Sequence, residues 1–250
     1  MTGRFHRLTL FLLPLFLVVP AAAAFAYEQA GEGGHGAGMR DPAVGFEHLW
    51  REVLWDITII GVGFALVAVY LMIKYRRKSP GQEGGGPRLT LVQSLTWALI
   101  PVFIFMADDI YLAAKGWTLW NEYRRVPDGA YEVELKSAMW SWNFTHEGGV
   151  EATNELRVPA GRPVLVKMTS MDTVHSMYLP DFKVKEDSMP GRITYLWFLP
   201  KEPGEHLITC AEYCGMLHSS MIGKVIAMPE EEFFSWLHEE QRKVKGGTQS

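Results

Sequence analysis

Long apolar stretches occupy the first half of the chain, and short alternating ones occupy the second. Residues 8–19 form the first stretch, with Arg4 and Arg7 before it and AAAAFA after it. That layout reads as a secretory signal peptide over residues 1–26, with Ala24 and Ala26 offered to the peptidase. Residues 57–73 carry no charge and are extended by Leu54, Trp55 and Tyr75. They reach the roughly 20 residues that a bilayer crossing needs. A third stretch, 89–107, is broken only by Pro101, which a membrane helix tolerates when its neighbours satisfy the freed carbonyl. Between these two lie the basic cluster KYRRK, from Lys74 to Lys78, and the turn-forming SPGQEGGGP. The positive-inside rule puts this connection on the cytoplasmic side. Residues 51–111 therefore read as a transmembrane hairpin, entered from an exported segment at 27–50, with everything that follows returned to the outer face.

The pattern then changes period. In YEVELKS, 131–137, Tyr131, Val133 and Leu135 alternate with Glu132, Glu134 and Lys136, as a half-buried strand does. Residues 163–169, 192–198, 205–210 and 222–228 read as further strands, separated by Pro- and Gly-rich turns such as VPAGRP and PKEPGE. Short strands at this spacing predict a sandwich or barrel over 112–229. Residues 230–250 hold a short helix and tail, since PEEEFFSWLHEEQRK opens with a proline and three acids, as helix starts do. The predicted fold class is thus membrane-anchored all-β. The net charge of −4 shows no basic surplus that would point to nucleic acid, and lipid is the expected surrounding of the hairpin.

Both cysteines of the chain stand in CAEYCGMLHSSM, residues 210–221. Export permits a disulfide between them. Yet the same stretch carries an imidazole, His218, a thioether, Met221, and a carboxylate, Glu212, and a second imidazole, His175, stands at the end of a predicted strand in DTVHSMYLP. Thiolate with thioether favours copper over structural zinc. A mononuclear blue-copper site takes a single thiolate, whereas two bridging thiolates would suit two copper ions. By residue chemistry alone, copper, zinc and a disulfide all stay open.

His175 followed by Cys210-Ala-Glu212-Tyr-Cys214-Gly-Met-Leu-His218-Ser-Ser-Met221 resembles the binuclear copper signature of subunit II of the haem-copper oxidases, cytochrome c oxidase in particular. The resemblance extends to the hairpin, to Thr96 and Trp97 with Pro101, to the aromatic run WSWNF from Trp140, and to KEDSMPGR from Lys185. It implies a cupredoxin-like Greek-key β-barrel and a binuclear copper centre of the CuA kind. Cys210 and Cys214 would bridge the ions, His175 and His218 would bind one each, and Met221 would be the weak ligand. Glu212 would ligate through its carbonyl, its side chain facing a magnesium ion at the contact with subunit I. The implied role is electron transfer from cytochrome c to haem in subunit I, where oxygen is reduced. Subunit III is a further expected partner, and the implied location is the bacterial inner membrane with the copper domain on the periplasmic face.

Trp140, Trp142 and Phe144 share one face of a strand at period two and could simply pack the barrel. The resemblance matches Trp140 to the tryptophan at which the family's donor delivers its electron. From Gly129 to Ser250 the chain has 17 acids against 12 Lys plus Arg, a difference of −5 that suits a donor with a basic face. No Cys-x-x-Cys-His occurs, so the donor is expected to be a separate protein. His6 would leave with the signal peptide, His35 lies in GEGGHGAG, and His48, His146, His206 and His238 lack a second ligand type at metal spacing. Nitrous oxide reductase shares the copper signature but not the hairpin, and quinol oxidase subunits lack the cysteines. One position departs from the common form of the family: where its second membrane helix carries a glutamate, three residues before the tryptophan, this chain has Ser94, beside Gln93. That departure implies a divergent subunit I, either another oxygen reductase or a copper-containing nitric oxide reductase.

Overall fold

The computed structural model describes residues 41–86 and 88–247. The predicted signal peptide and most of the exported segment at 27–50 lie outside the described residues, as do His6 and His35. The described chain divides into two compact units, one of residues 47–118 and one of residues 41–46 with 119–247.

Helices α1 (Pro42–Lys74) and α2 (Leu91–Arg124) make up the first unit and run beyond it. Each contains a stretch long and apolar enough to cross a membrane, none of it buried within the protein. Phe64 is 75% exposed and Val92 72%, which lipid rather than water would cover. Both helices overrun the expected bounds of 51 and 111. The early start of α1 has a local cause: Asp41 Oδ1 accepts the Ala43 N–H at 3.0 Å and Pro42 occupies the first helical position. Helix α2 opens with a reciprocal cap, Gln93 N–H to Thr90 Oγ1 at 3.3 Å and Thr90 N–H to Gln93 Oε1 at 3.0 Å. Gln93 is thereby engaged in starting the helix. Past the apolar run, no proline stands between Pro101 and Pro127, so α2 continues to Arg124.

The second unit is a sandwich of two five-stranded sheets. The first has the order β3 (Val150–Thr153), β2 (Ser141–His146), β1 (Tyr131–Ala138), β5 (Val164–Ser170), β8 (Thr194–Phe198). The second has β4 (Glu155–Pro159), β10 (Ile222–Met228), β9 (Gly204–Cys210), β6 (His175–Leu179), β7 (Val184–Ser188). Pairing is antiparallel except for β1 with β5 and β4 with β10. Strand β1 buries Tyr131, Val133, Leu135 and Ser137 and exposes Glu132, Glu134 and Lys136, as its alternation predicts. Trp142, Phe144, Leu156, Val166 and Ile208 are at most 1% exposed and lie in the shared core. Gly223 permits a close crossing there: a Cβ at that position would stand 2.8 Å from Asn154 O and 3.2 Å from Trp142 Cδ1.

Helix α3 (Glu230–Gly247) closes the sandwich by burying Phe233 and Leu237. Phe233 meets Tyr131 edge-on at 4.9 Å, and Trp236 meets His146 edge-on at 5.4 Å. The Tyr131 hydroxyl, whose pKa burial raises, is hydrogen-bonded to His146 Nδ1 at 3.0 Å. Burial first, and the charge of Arg157 second, push His146 down to about 4. The last turn of α2 belongs to this unit too: Trp197 Nε1–H donates to Tyr123 O at 2.8 Å, and Arg124 pairs with Glu186 at 2.6 Å.

Candidate metal centre

The segment 210–221 joins β9 to β10, and three backbone hydrogen bonds fix its shape. Cys210 N–H donates to Met221 O at 3.2 Å, closing the base of the loop. Ala211 N–H donates to Ser176 O at 2.9 Å, tying the loop to β6, whose first residue is His175. His218 N–H donates to Gly215 O at 3.1 Å and opens a single 3-10 turn over His218–Ser220. Gly215 sits at φ +117, in the region glycine tolerates.

These constraints gather the soft donors around one atom. Cys214 Sγ lies 3.7 Å from Cys210 Sγ, 3.7 Å from Met221 Sδ and 3.6 Å from His218 Nδ1. His175, Cys210 and Cys214 have ligand atoms within 4.8 Å of one another, the one such group among the described residues. Met221 and His175 are fully buried, Cys214 nearly so, and His218 and Cys210 half-buried. The cysteines are free thiols, so the structure does not hold the disulfide alternative. Burial, reinforced by the neighbouring Cys210, pushes the Cys214 thiol up to about 11. A metal ion would displace that proton.

Glu212 contributes differently from its side chain. Its carbonyl oxygen is 3.2 Å from Cys210 Sγ, whereas the carboxylate is exposed and joins no metal-type group among the described residues. His175 Nε2 is 2.8 Å from Asp172 Oδ1, and its Nδ1 is buried with no hydrogen-bond partner. A buried, unpartnered imidazole nitrogen beside two thiols and a thioether is what a soft metal such as copper would satisfy, and hard oxygen donors are few. The residues present fit copper.

Trp140 occupies the two-residue turn between β1 and β2 and does not extend the strand face that Trp142 and Phe144 share. It is half-buried, and its indole lies against Gly215. Asp172 and Trp142 are site residues that sequence reasoning misses. The spacing of Asp172, three residues before His175, is its one available signal; Trp142, whose ring is 6.2 Å from that of His175, gives none beyond its strand period.

Residues 110–228 match the model of the family described as cytochrome C oxidase subunit II, periplasmic domain. The chain is 28% identical over 228 residues to the alternative cytochrome c oxidase subunit 2 of Bradyrhizobium diazoefficiens, covering 77% of this chain and 80% of that one. It is 24% identical over 282 residues to the cytochrome c oxidase subunit 2 of Cereibacter sphaeroides, covering 92% and 89%. The crystal structure of the periplasmic domain of subunit II of cytochrome oxidase of Bradyrhizobium japonicum aligns with a TM-score of 0.46 at 27% identity, over 48% of this chain and 99% of that one. The sandwich with its sulfur-rich loop is a cupredoxin-like oxidase domain. The family match over residues 110–228, together with relatives named cytochrome c oxidase subunit 2, supports a subunit II of a haem-copper oxidase, part of an oxidoreductase complex.

Proposed function

We propose that this chain is the electron-transfer subunit of a terminal oxidase, taking electrons from cytochrome c at a binuclear copper centre and passing them to haem in subunit I. Cys210 and Cys214 would hold both ions, with His175, His218, Met221 and the Glu212 carbonyl completing the set. The observation that carries this reading is the position of Cys214 Sγ, within 3.7 Å of a second thiol and a thioether and 3.6 Å from an imidazole. Copper held by these residues would supply reversible one-electron storage.

The chain's own residues do the rest. The loop hydrogen bonds fix the donors before metal arrives, and burial of Met221, Cys214 and His175 keeps water from them. Trp140 receives the donor at the rim, against Gly215. The exposed Glu212 carboxylate is the side chain available for a magnesium ion shared with subunit I. Subunit III and the bacterial inner membrane complete the proposed setting, with the sandwich on the periplasmic face. Turnover of the purified complex on reduced cytochrome c and oxygen tests this function; a complex that ignores cytochrome c would refute it.

A second reading rests on Ser94. Neither Ser94 nor Gln93, which is engaged in the helix cap, can collect protons as a carboxylate can. The chain could therefore serve a copper-bearing nitric oxide reductase of the same superfamily. Turnover on nitric oxide in place of oxygen separates the two.

A further inference from the structure

Asp172 lies between β5 and β6, outside the ligand set, and its two carboxylate oxygens face in different directions. Oδ1 is 2.8 Å from His175 Nε2 and accepts the Thr173 N–H at 2.6 Å. Oδ2 accepts the Met139 N–H at 2.7 Å. Met139 is the residue before Trp140 in the β1–β2 turn, and its Sδ would also be 3.7 Å from a Cβ at Gly215. One side chain therefore joins the buried imidazole to the turn that carries the tryptophan.

Each bond has a consequence. A carboxylate accepts and cannot donate, so His175 keeps its proton on Nε2 and leaves the lone pair of the buried, unpartnered Nδ1 free for a metal. The same carboxylate fixes the backbone of the turn, and with it the height of the Trp140 indole over Gly215. Asparagine could not replace both functions, because a carboxamide offers one acceptor oxygen and would set its NH2 against either the Met139 N–H or the imidazole N–H.

We propose that Asp172 is a positioning residue shared by the metal-binding histidine and the electron-accepting tryptophan, setting the tautomer of His175 and the seat of Trp140 through its two oxygens. The inference rests on the roles proposed above for His175 and Trp140. It extends them by making the two sites mechanically dependent on one carboxylate.

The test uses the full chain in detergent, as wild type, Asp172→Asn and Asp172→Ala, with copper alone as the metal probe. In the metal-free wild type, nitrogen NMR of the histidine ring shows a single Nε2–H tautomer for His175, and the Met139 amide exchanges slowly. In Asp172→Ala both features are lost, and copper affinity by chelator competition falls about 10- to 100-fold, the scale of losing a partner behind a metal ligand. The rate of reduction by cytochrome c falls on the order of tenfold or more, as expected of a misplaced reacting group, while reduction by a small inorganic complex does not. Asp172→Asn preserves the fold and retains one of the two bonds, so it restores either the tautomer or the slow exchange, never both. Variants with unchanged tautomer, amide exchange and copper affinity would overturn the proposal. A wild type that binds no copper would sink the ligand assignment instead, and the two metal-free measurements would still decide the role of Asp172.

Discussion

The indole of Trp140 lies against Gly215, the residue after Cys214: a Cβ at Gly215 would stand 3.5 Å from both Cζ2 and Nε1 of the ring. The aromatic residue at the rim and the most enclosed thiol of the loop are thus separated by a single glycine backbone. Replacing the indole should cost the route and leave the site. Trp140→Ala is expected to slow oxidation of the donor protein with copper content and donor affinity little changed, measured by stopped-flow mixing and metal analysis. If copper is lost instead, Trp140 is a packing residue.

Gly215 itself makes a second prediction. The space beside it would admit a methyl group at ordinary contact, but its φ of +117 strains any residue with a Cβ. Gly215→Ala should destabilise the metal-free chain by about 1–3 kcal/mol, read from thermal or denaturant unfolding. A variant as stable as the wild type would show that the loop relaxes to another backbone conformation.

His146 gives the sandwich an acid sensitivity away from the metal centre. Its folded pKa is lowered to about 4, chiefly by burial, against an ordinary 6.5. The unfolded chain therefore binds the proton more readily, so this contribution is complete above 6.5, falls as pH drops below it and levels off below about 4. The full difference is about 3 kcal/mol. His146→Gln should flatten the stability profile between pH 4 and 6.5 in denaturant titrations; an unchanged slope would exclude His146 as its source.

The strands of the two sheets differ in how plainly the sequence announces them. Residues 222–228 and 131–138 reveal themselves by composition and alternation, and both form strands close to the expected bounds. Strands β3, β4 and β7 do not, because Val150–Thr153 is short and Val184–Ser188 is mostly polar, so their pairing comes from neighbours rather than from their own pattern. The helices run past their apolar cores because caps and the absence of proline, not hydropathy, set helix ends. Within the site, the loop donors are legible because they lie together in sequence. His175 is marked by its residue type and by the family resemblance, and Asp172 by neither, since its two bonds connect segments 33 residues apart in the chain.

Ser94 provides a prediction about protons. It lies in the first turn of α2 and is exposed, beside the Gln93 engaged in the helix cap. Ser94→Ala should leave steady-state turnover of the complex unchanged. A large loss would mean that the hydroxyl belongs to the proton path and that α2 supplies part of its entrance after all.

The most direct measurement of the central claim is the copper content of the purified full chain together with its electron paramagnetic resonance spectrum, compared with those of Cys214→Ser. The wild type should hold two copper ions per chain and share one unpaired electron between them. The serine variant should lose that signal, because an alkoxide is a hard substitute for a bridging thiolate. A wild type with a single copper ion, or one with none and an intact Cys210–Cys214 disulfide, would contradict the assignment.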